Sequence, residues 1–324
     1  MVDVHDLHDN NVVMGEVAVE NKTAETQAVV LEVSFNGDVV MKKRIEIRKG
    51  CRRDTPLVVP STLLLMDDTS KIELECRVYD CDGLLILDRT STVTVRSRFD
   101  MNLERLKEHT ARFVNPLDPC VKELVVPRDG PVAKAMLSKN RIFTIDGYQS
   151  EEGPSRMMRA AFDAVRGLNL SYVSDVSTLR DEGYYQRVRT PAKVLQDGSG
   201  NCIEFSILFA SMFETMGLEP VVVFPPGHAI VGIVTSTDLY PTESGGRMGG
   251  FPYKPVRFNS DKGHFFEGVF MESTICARRD STFEDAVGMA HALIRNHFKG
   301  ISQRQDYSLI SMYRFKGVKP EVVR

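Results

Sequence analysis

Residues 198–204 read Gly198-Ser199-Gly200-Asn201-Cys202-Ile203-Glu204, a glycine-rich turn that delivers one cysteine to the start of an apolar run. The run, 203–216, is apolar on nearly every side, as a helix in the middle of a domain would be, and Gly217 stands where such a helix is capped. The N-terminus of a helix carries partial positive charge, which favours thiolate over thiol, and an adjacent imidazolium favours it further. Cys202 is placed for both effects. Its own backbone N–H and a neighbouring donor could face an oxyanion, and Gly200 would let a substrate carbonyl come close.

Working outward, the chain after Gly217 turns strand-like over 221–224, 229–234 and 268–271. The second of these opens with Gly227-His228-Ala229-Ile230-Val231-Gly232-Ile233, a histidine at the lip of an apolar run. A thiol nucleophile needs a base within hydrogen-bond reach, and that base needs a third group to fix its tautomer. The third strand, Phe266-Glu267-Gly268-Val269-Phe270-Met271-Glu272-Ser273-Thr274, ends in a carboxylate. If it runs antiparallel to 229–234, the end of one lies beside the start of the other, so Glu272 meets His228 and Glu267 sits at the far end. Between these strands, 235–266 holds Gly245, Gly246, Gly249 and Gly250 with Pro241, Pro252 and Pro255. It is too long for a plain connection and reads as a mobile loop beside the site. A helical pattern over 282–298 closes the compact part.

Upstream, 172–189 is polar and carries Tyr172, Tyr184 and Tyr185; Pro191 then opens a short helical turn that leads to the cysteine. An amphipathic helix is expected over 154–170, and a helical period from Asp100, through Leu103, Leu106, Thr110 and Phe113, ends at Asn115-Pro116. Residues 12–97 read as β structure. Val29, Leu31, Val33 and Phe35 alternate with polar or small neighbours, Asn36-Gly37 follows, and Val39, Met41, Ile45 and Ile47 stand beyond it. A two-residue loop there would pair Val33 with Val40 and mix the faces. A three-residue loop through Asp38, pairing Phe35 with Val39 and Val33 with Met41, fits the alternation better. A second alternation, Ile72, Leu74, Cys76 and Val78, runs into Asp82-Gly83 and the apolar residues beyond. The expectation is a small antiparallel, immunoglobulin-like β-sandwich over 1–98 and a second domain over 99–324.

Composition narrows the function classes. With 41 basic and 44 acidic residues and a net charge of -3, the chain has no long-range field that would recruit nucleic acid or an anionic membrane. The N-terminus lacks the basic and apolar regions of a signal peptide, and no stretch approaches roughly 18 uninterrupted apolar residues, so a cytoplasmic protein is expected. The 6 cysteines include no Cys-x-x-Cys pair, which argues against a disulfide framework and a structural zinc. His291 and His297 fall on different helix faces, and His264 lies in the long loop, so no metal set is expected. Gly198-Ser199-Gly200 lacks the lysine of a phosphate-binding loop. Lys42-Lys43-Arg44 and Arg278-Arg279 read as solvated charges. No cofactor is implied.

Taken together, Gly200-Asn201-Cys202-Ile203-Glu204, an apolar helix closed by Gly217-Leu218, then Gly227-His228-Ala229 and a later strand ending in an acid resemble the transglutaminase-like superfamily of cysteine enzymes. The likeness is to bacterial and archaeal members whose cysteine motif reads Gly-Asn-Cys-Ile-Glu; it covers about residues 100–310 and is sharpest over 184–233. It implies an α+β fold with a papain-like core, a helix packed on an antiparallel sheet, and a Cys-His-Asp triad that acts on amide bonds through an acyl-enzyme. Cys202 and His228 carry over directly. Glu272 stands where the family usually has aspartate.

Gln196, six residues before the cysteine, has the spacing of the oxyanion glutamine of papain-like proteases, with Asn201, Tyr184 and Tyr185 as rivals. Glu204 reads either as an acid favoured by the helix dipole or as a catalytic one. The chain has no tryptophan, whereas an animal-type transglutaminase has one near its site, which sets it apart from protein cross-linking enzymes. The expected function is therefore a cysteine hydrolase cleaving an amide or peptide bond of a protein or peptide substrate, with 235–266 and 172–189 shaping the groove. The N-terminal sandwich would be a surface for another protein. A catalytically silent binding or scaffold module of the same fold is the alternative, and an N-glycan-releasing amidase of the superfamily is a third reading. Alone, a cysteine opening a buried helix and a histidine at a strand edge are packing residues; their joint occurrence in the family's order favours a catalytic pair.

Overall fold

The structure, a computed structural model, describes residues 11–60, 66–102, 106–140, 143–150, 152–174, 179–180, 185–225, 227–237, 255–259, 265–298 and 308–311. The chain divides into two compact units, Met1–Asp100 and Met101–Arg324. Helices and antiparallel sheets together make it an α+β protein, and its described residues include a two-residue parallel pair.

The N-terminal unit contains β1 (Asn11–Glu20), β2 (Gln27–Phe35), β3 (Asp38–Ile47), β4 (Arg52–Pro60), β5 (Ser70–Tyr79) and β6 (Leu85–Val95). They form a four-stranded sheet in the order β3-β2-β5-β6 and a two-stranded sheet β1-β4. The alternation of β2 gives the reason: Val29, Leu31, Val33 and Phe35 all point to one face. There they share a buried cluster with Ile45 and Ile47 of β3, Leu57 and Val59 of β4, Ile72 and Val78 of β5, and Val95 of β6.

The β2–β3 turn corrects the expected three-residue loop. Phe35 pairs with Asp38 and Ser34 with Val39, so the loop is the two residues Asn36 and Gly37, at φ 48° and 89°. Positive φ at both positions gives the turn a twist that matches the strands. Val33 nevertheless pairs with Met41, because a bulge opposite the Val33–Ser34 step takes up Val40 on β3 and restores the faces. Met41 is thus the partner that the alternation predicts for Val33, and the irregularity lies in the strand pair and not in the turn.

Strand β7 (Asp100–Asn102), which stands where a helical period was expected, runs across the division, and the second unit continues with α1 (Leu106–Phe113), α2 (Pro119–Val125), α3 (Pro131–Asn140) and α4 (Gly153–Gly167). The polar segment supplies β8 (Ser171–Tyr172), β9 (Leu179–Arg180) and β10 (Tyr185–Arg187); then come α5 (Pro191–Asp197), β11 (Ser199–Gly200) and α6 (Cys202–Thr215). The remainder is β12 (Pro220–Phe224), β13 (Ile230–Thr237), β14 (Val256–Asn259), β15 (Phe265–Met271), a 3-10 turn (Ser273–Ala277), α7 (Phe283–Phe298) and β16 (Ser308–Ser311). The main sheet has the order β14-β15-β13-β12-β16.

Helix α6 is the axis of this unit. It packs on β12 and β13 and against α2, α4 and α5, and its Phe205, Phe209 and Phe213 are fully buried. Each such ring contributes about 1.5–3 kcal/mol of hydrophobic stabilisation. Helix α7 packs on β15, and its Ala290 and Ile294 join Val221, Val223, Ile230, Val234 and Phe270 of the sheet in a buried cluster. Gly232 makes the sheet possible where it is tightest. A Cβ there would stand 2.5 Å from Cδ1 of Phe270, its cross-strand partner, and closer still to the Val269 carbonyl. The Phe270 ring lies over a position that only glycine can occupy.

The reading of 235–266 as one loop is also corrected, since β13 runs on to Thr237 and β14 pairs antiparallel with β15. The glycines of that stretch lie outside the described residues, as do Tyr184 and His264. No helix among the described residues is long and apolar enough to cross a membrane.

Candidate active site

Local rules bring the cysteine into place. Thr190 caps α5, Pro191 occupies its first turn, and Gly198 ends it at φ 65°, a left-handed conformation suited to glycine. Strand β11 then runs parallel to β8, with Ser171 N–H donating to the Gly198 carbonyl at 2.9 Å and Val173 N–H to that of Gly200 at 3.0 Å. Asn201 caps α6: its side-chain oxygen accepts from the Glu204 amide at 3.0 Å, and the Glu204 carboxylate accepts from the Asn201 amide at 2.9 Å. Such a cap is worth about 1 kcal/mol. It leaves the intervening amides of Cys202 and Ile203 outside the reciprocal pair. Cys202, the first residue of the helix, is half-buried.

The partner groups come from the sheet. Val231 of β13 pairs antiparallel with Met271 of β15, so His228, just before one strand, and Glu272, just after the other, emerge at the same edge. Nε2 of His228 lies 2.6 Å from Oε2 of Glu272. The other carboxylate oxygen accepts from the Thr274 hydroxyl at 2.6 Å and the Thr274 amide at 3.1 Å. The same imidazole also feels Cys202, the largest influence on its charge. With Nε2 committed to Glu272, Nδ1 is the nitrogen left for the sulfur.

These contacts govern the charges. Cys202 first, and then the bond to Glu272, push His228 up to about 10 against the opposing effect of burial. Burial drives Glu272 upward, but the bond and charge of His228 with the two Thr274 donors outweigh it and hold the carboxyl below its usual range. A second link fixes the two halves of the site. The hydroxyls of Ser206, one turn into α6 from Cys202, and of Ser273, which follows Glu272, lie 3.1 Å apart and fully buried.

The remaining candidates fall elsewhere. Gln196 is on the exposed side of α5, where its side-chain oxygen accepts from Lys193 at 3.4 Å. The oxygen of Asn201 is spent on the helix cap. Tyr185 is buried, and its hydroxyl accepts from the Asn102 amide at 3.3 Å. Tyr172, which the sequence placed only within a polar segment, stands beside the site: burial and then the charges of Cys202 and Glu272 raise its phenol, although the side chain is partly exposed. Its position follows from the pairing of β8 with β11, a contact no local period announces. Among the described residues, no cluster of three or more His, Cys, Asp or Glu side chains could hold a metal ion.

Residues 144–236 match the model of the transglutaminase-like superfamily. This superfamily generally includes cysteine peptidases and acyltransferases. The matched stretch contains both Cys202 and His228 and ends before Glu272. No curated protein and no solved structure gives a significant match to the chain.

Proposed function

We propose that the second unit is a papain-like cysteine hydrolase that cleaves an amide or peptide bond of a protein or peptide substrate, with the N-terminal unit an immunoglobulin-like β-sandwich that offers a surface to another protein. The observation that carries the reading is the His228 imidazole held at 2.6 Å by Glu272 and influenced most by Cys202, the residue that opens α6. His228 takes the proton of the Cys202 thiol, Sγ attacks the amide carbonyl carbon, and the tetrahedral oxyanion is met by the backbone N–H groups of Cys202 and Ile203. His228 delivers its proton to the amide nitrogen as the C–N bond breaks, and the amine leaves a thioester on Cys202. His228 then takes a proton from water, whose oxygen attacks the thioester; the C–S bond breaks, and the carboxylic acid product, which gives up its remaining proton to solvent, leaves a free thiolate. Glu272 accepts from Nε2 throughout, so Nδ1 stays directed at the sulfur and the imidazolium is stabilised. Tyr172 forms one wall of the acyl site.

The test is a broad peptide and amide library screened against the natural protein and Cys202→Ala. Turnover by the first and none by the second is expected. Turnover that survives in Cys202→Ala overturns the mechanism, and a folded natural protein without turnover makes the chain a silent binding module.

A further inference from the structure

The Glu204 carboxylate is only 2% exposed, yet it sits two residues from the nucleophile at the same helix end. An uncompensated negative charge there would work against a thiolate on Cys202 and cancel the favourable helix terminus. It is compensated by one residue. Arg189 donates its backbone N–H at 2.8 Å and Nε at 3.0 Å to Oε1 of Glu204, and Nη2 at 2.8 Å to Oε2. The same guanidinium reaches Asp197 at 3.0 Å and the Ser199 hydroxyl at 3.4 Å, on either side of Gly198. Lys193 pairs with the other oxygen of Asp197 at 3.0 Å. Two cations and two anions thus balance, and removal of Arg189 leaves a net negative charge on the turn that carries Cys202. A planar fork that satisfies both carboxylate oxygens in one geometry is something arginine provides and lysine does not.

We propose that Arg189 is a positioning residue for the nucleophile: it neutralises Glu204 so that the N-terminus of α6 favours the Cys202 thiolate, and it pins the 197–199 turn that presents the thiol. The inference rests on Cys202 being the nucleophile of the proposed function. The other charged or titratable groups facing Cys202 are His228, Glu272 and Tyr172, and none of them is altered by the variants below.

The experiment is iodoacetamide alkylation of the full chain at pH 6 and pH 9, with modification of Cys202 followed by peptide mass spectrometry and folding followed by circular dichroism. The natural protein should react at pH 6 within a few-fold of its rate at pH 9. In Arg189→Met the pH 6 rate, relative to pH 9, should fall roughly tenfold. Arg189→Lys should keep most of the natural ratio, and adding Glu204→Gln to Arg189→Met should restore it. A folded Arg189→Met with the natural ratio, or a double variant that keeps the loss, overturns the inference while leaving the proposed nucleophile standing. If Arg189→Met does not fold, Glu204→Gln alone decides: its alkylation at pH 5 should be faster than that of the natural protein, and an equal rate overturns the inference. If the natural protein itself alkylates as an ordinary thiol, the nucleophile assignment fails first and this inference with it.

Discussion

Nε2 of His228 and Oε2 of Glu272 stand 2.6 Å apart although 44 residues separate them. The antiparallel register of β13 and β15 makes that contact, and Thr274 fixes the second carboxylate oxygen so that the first can point only one way.

The pair makes stability depend on pH with a defined sign. Cys202 first and Glu272 second raise His228 from 6.5 to about 10, so its contribution is fully present below about pH 6.5 and is lost as pH rises through about 10. Glu272 is lowered from 4.5, so its contribution is present above about pH 4.5 and is lost as pH falls through its lower folded value. Urea denaturation of the natural protein and Glu272→Gln should therefore differ most between pH 4.5 and 6.5, by about 2 kcal/mol once solvent screening of the partly exposed imidazole is allowed for. The difference should close by about pH 10.5. A gap independent of pH would show that the pair does not carry this charge.

In turnover, Glu272→Gln keeps the shape of the side chain and loses its charge, and a fall in kcat of about 100-fold is expected with little change in KM. Thr274→Val removes one of the two donors that aim the carboxylate while its backbone amide remains. It should cost about 1 kcal/mol of stability and a smaller share of kcat. Equal activity of all three proteins would remove Glu272 from the mechanism.

Gly232→Ala tests the packing beneath the site. The added methyl meets Phe270 at 2.5 Å and the Val269 carbonyl more closely, and neither the ladder backbone nor a fully buried ring has room to yield. A loss of about 3 kcal/mol or more is expected, read as a drop in Tm. An unchanged Tm would mean that β13 and β15 do not approach so closely.

The buried Ser206–Ser273 contact ties α6 to the segment after Glu272. Ser206→Ala and Ser273→Ala should each destabilise by about 1–2 kcal/mol, because each strands the other hydroxyl, and the double variant should cost less than their sum. Strict additivity in this double-mutant cycle would break the proposed link.

How much of this was legible in the sequence depended on whether the signal was local. Alternation along 29–35 and the apolar run at 268–271 mark strands, and the assumption that 229–234 and 268–271 run antiparallel is enough to place Glu272 beside His228. The bulge after Asn36-Gly37 was misplaced because parity of side chains fixes which residues share a face and says nothing about where the extra residue goes. Strand β14 was missed because glycine and proline on its flanks outweighed four residues of strand pattern. Glu204 was left between two roles, since its main partner, Arg189, lies 15 residues away on a connection with no period. Tyr172 was hidden for the same reason: a two-residue parallel pair brings it to the thiol.

The central claim is that His228 and Glu272 make Cys202 a nucleophile at neutral pH. Alkylation of Cys202 across pH 5 to 10, in the natural protein and in Glu272→Gln, measures it most directly. The natural protein should lose no more than a few-fold in rate from pH 9 to pH 6, and Glu272→Gln should lose markedly more. A several-hundredfold fall in the natural protein over that interval, roughly what an ordinary thiol shows, would contradict the account.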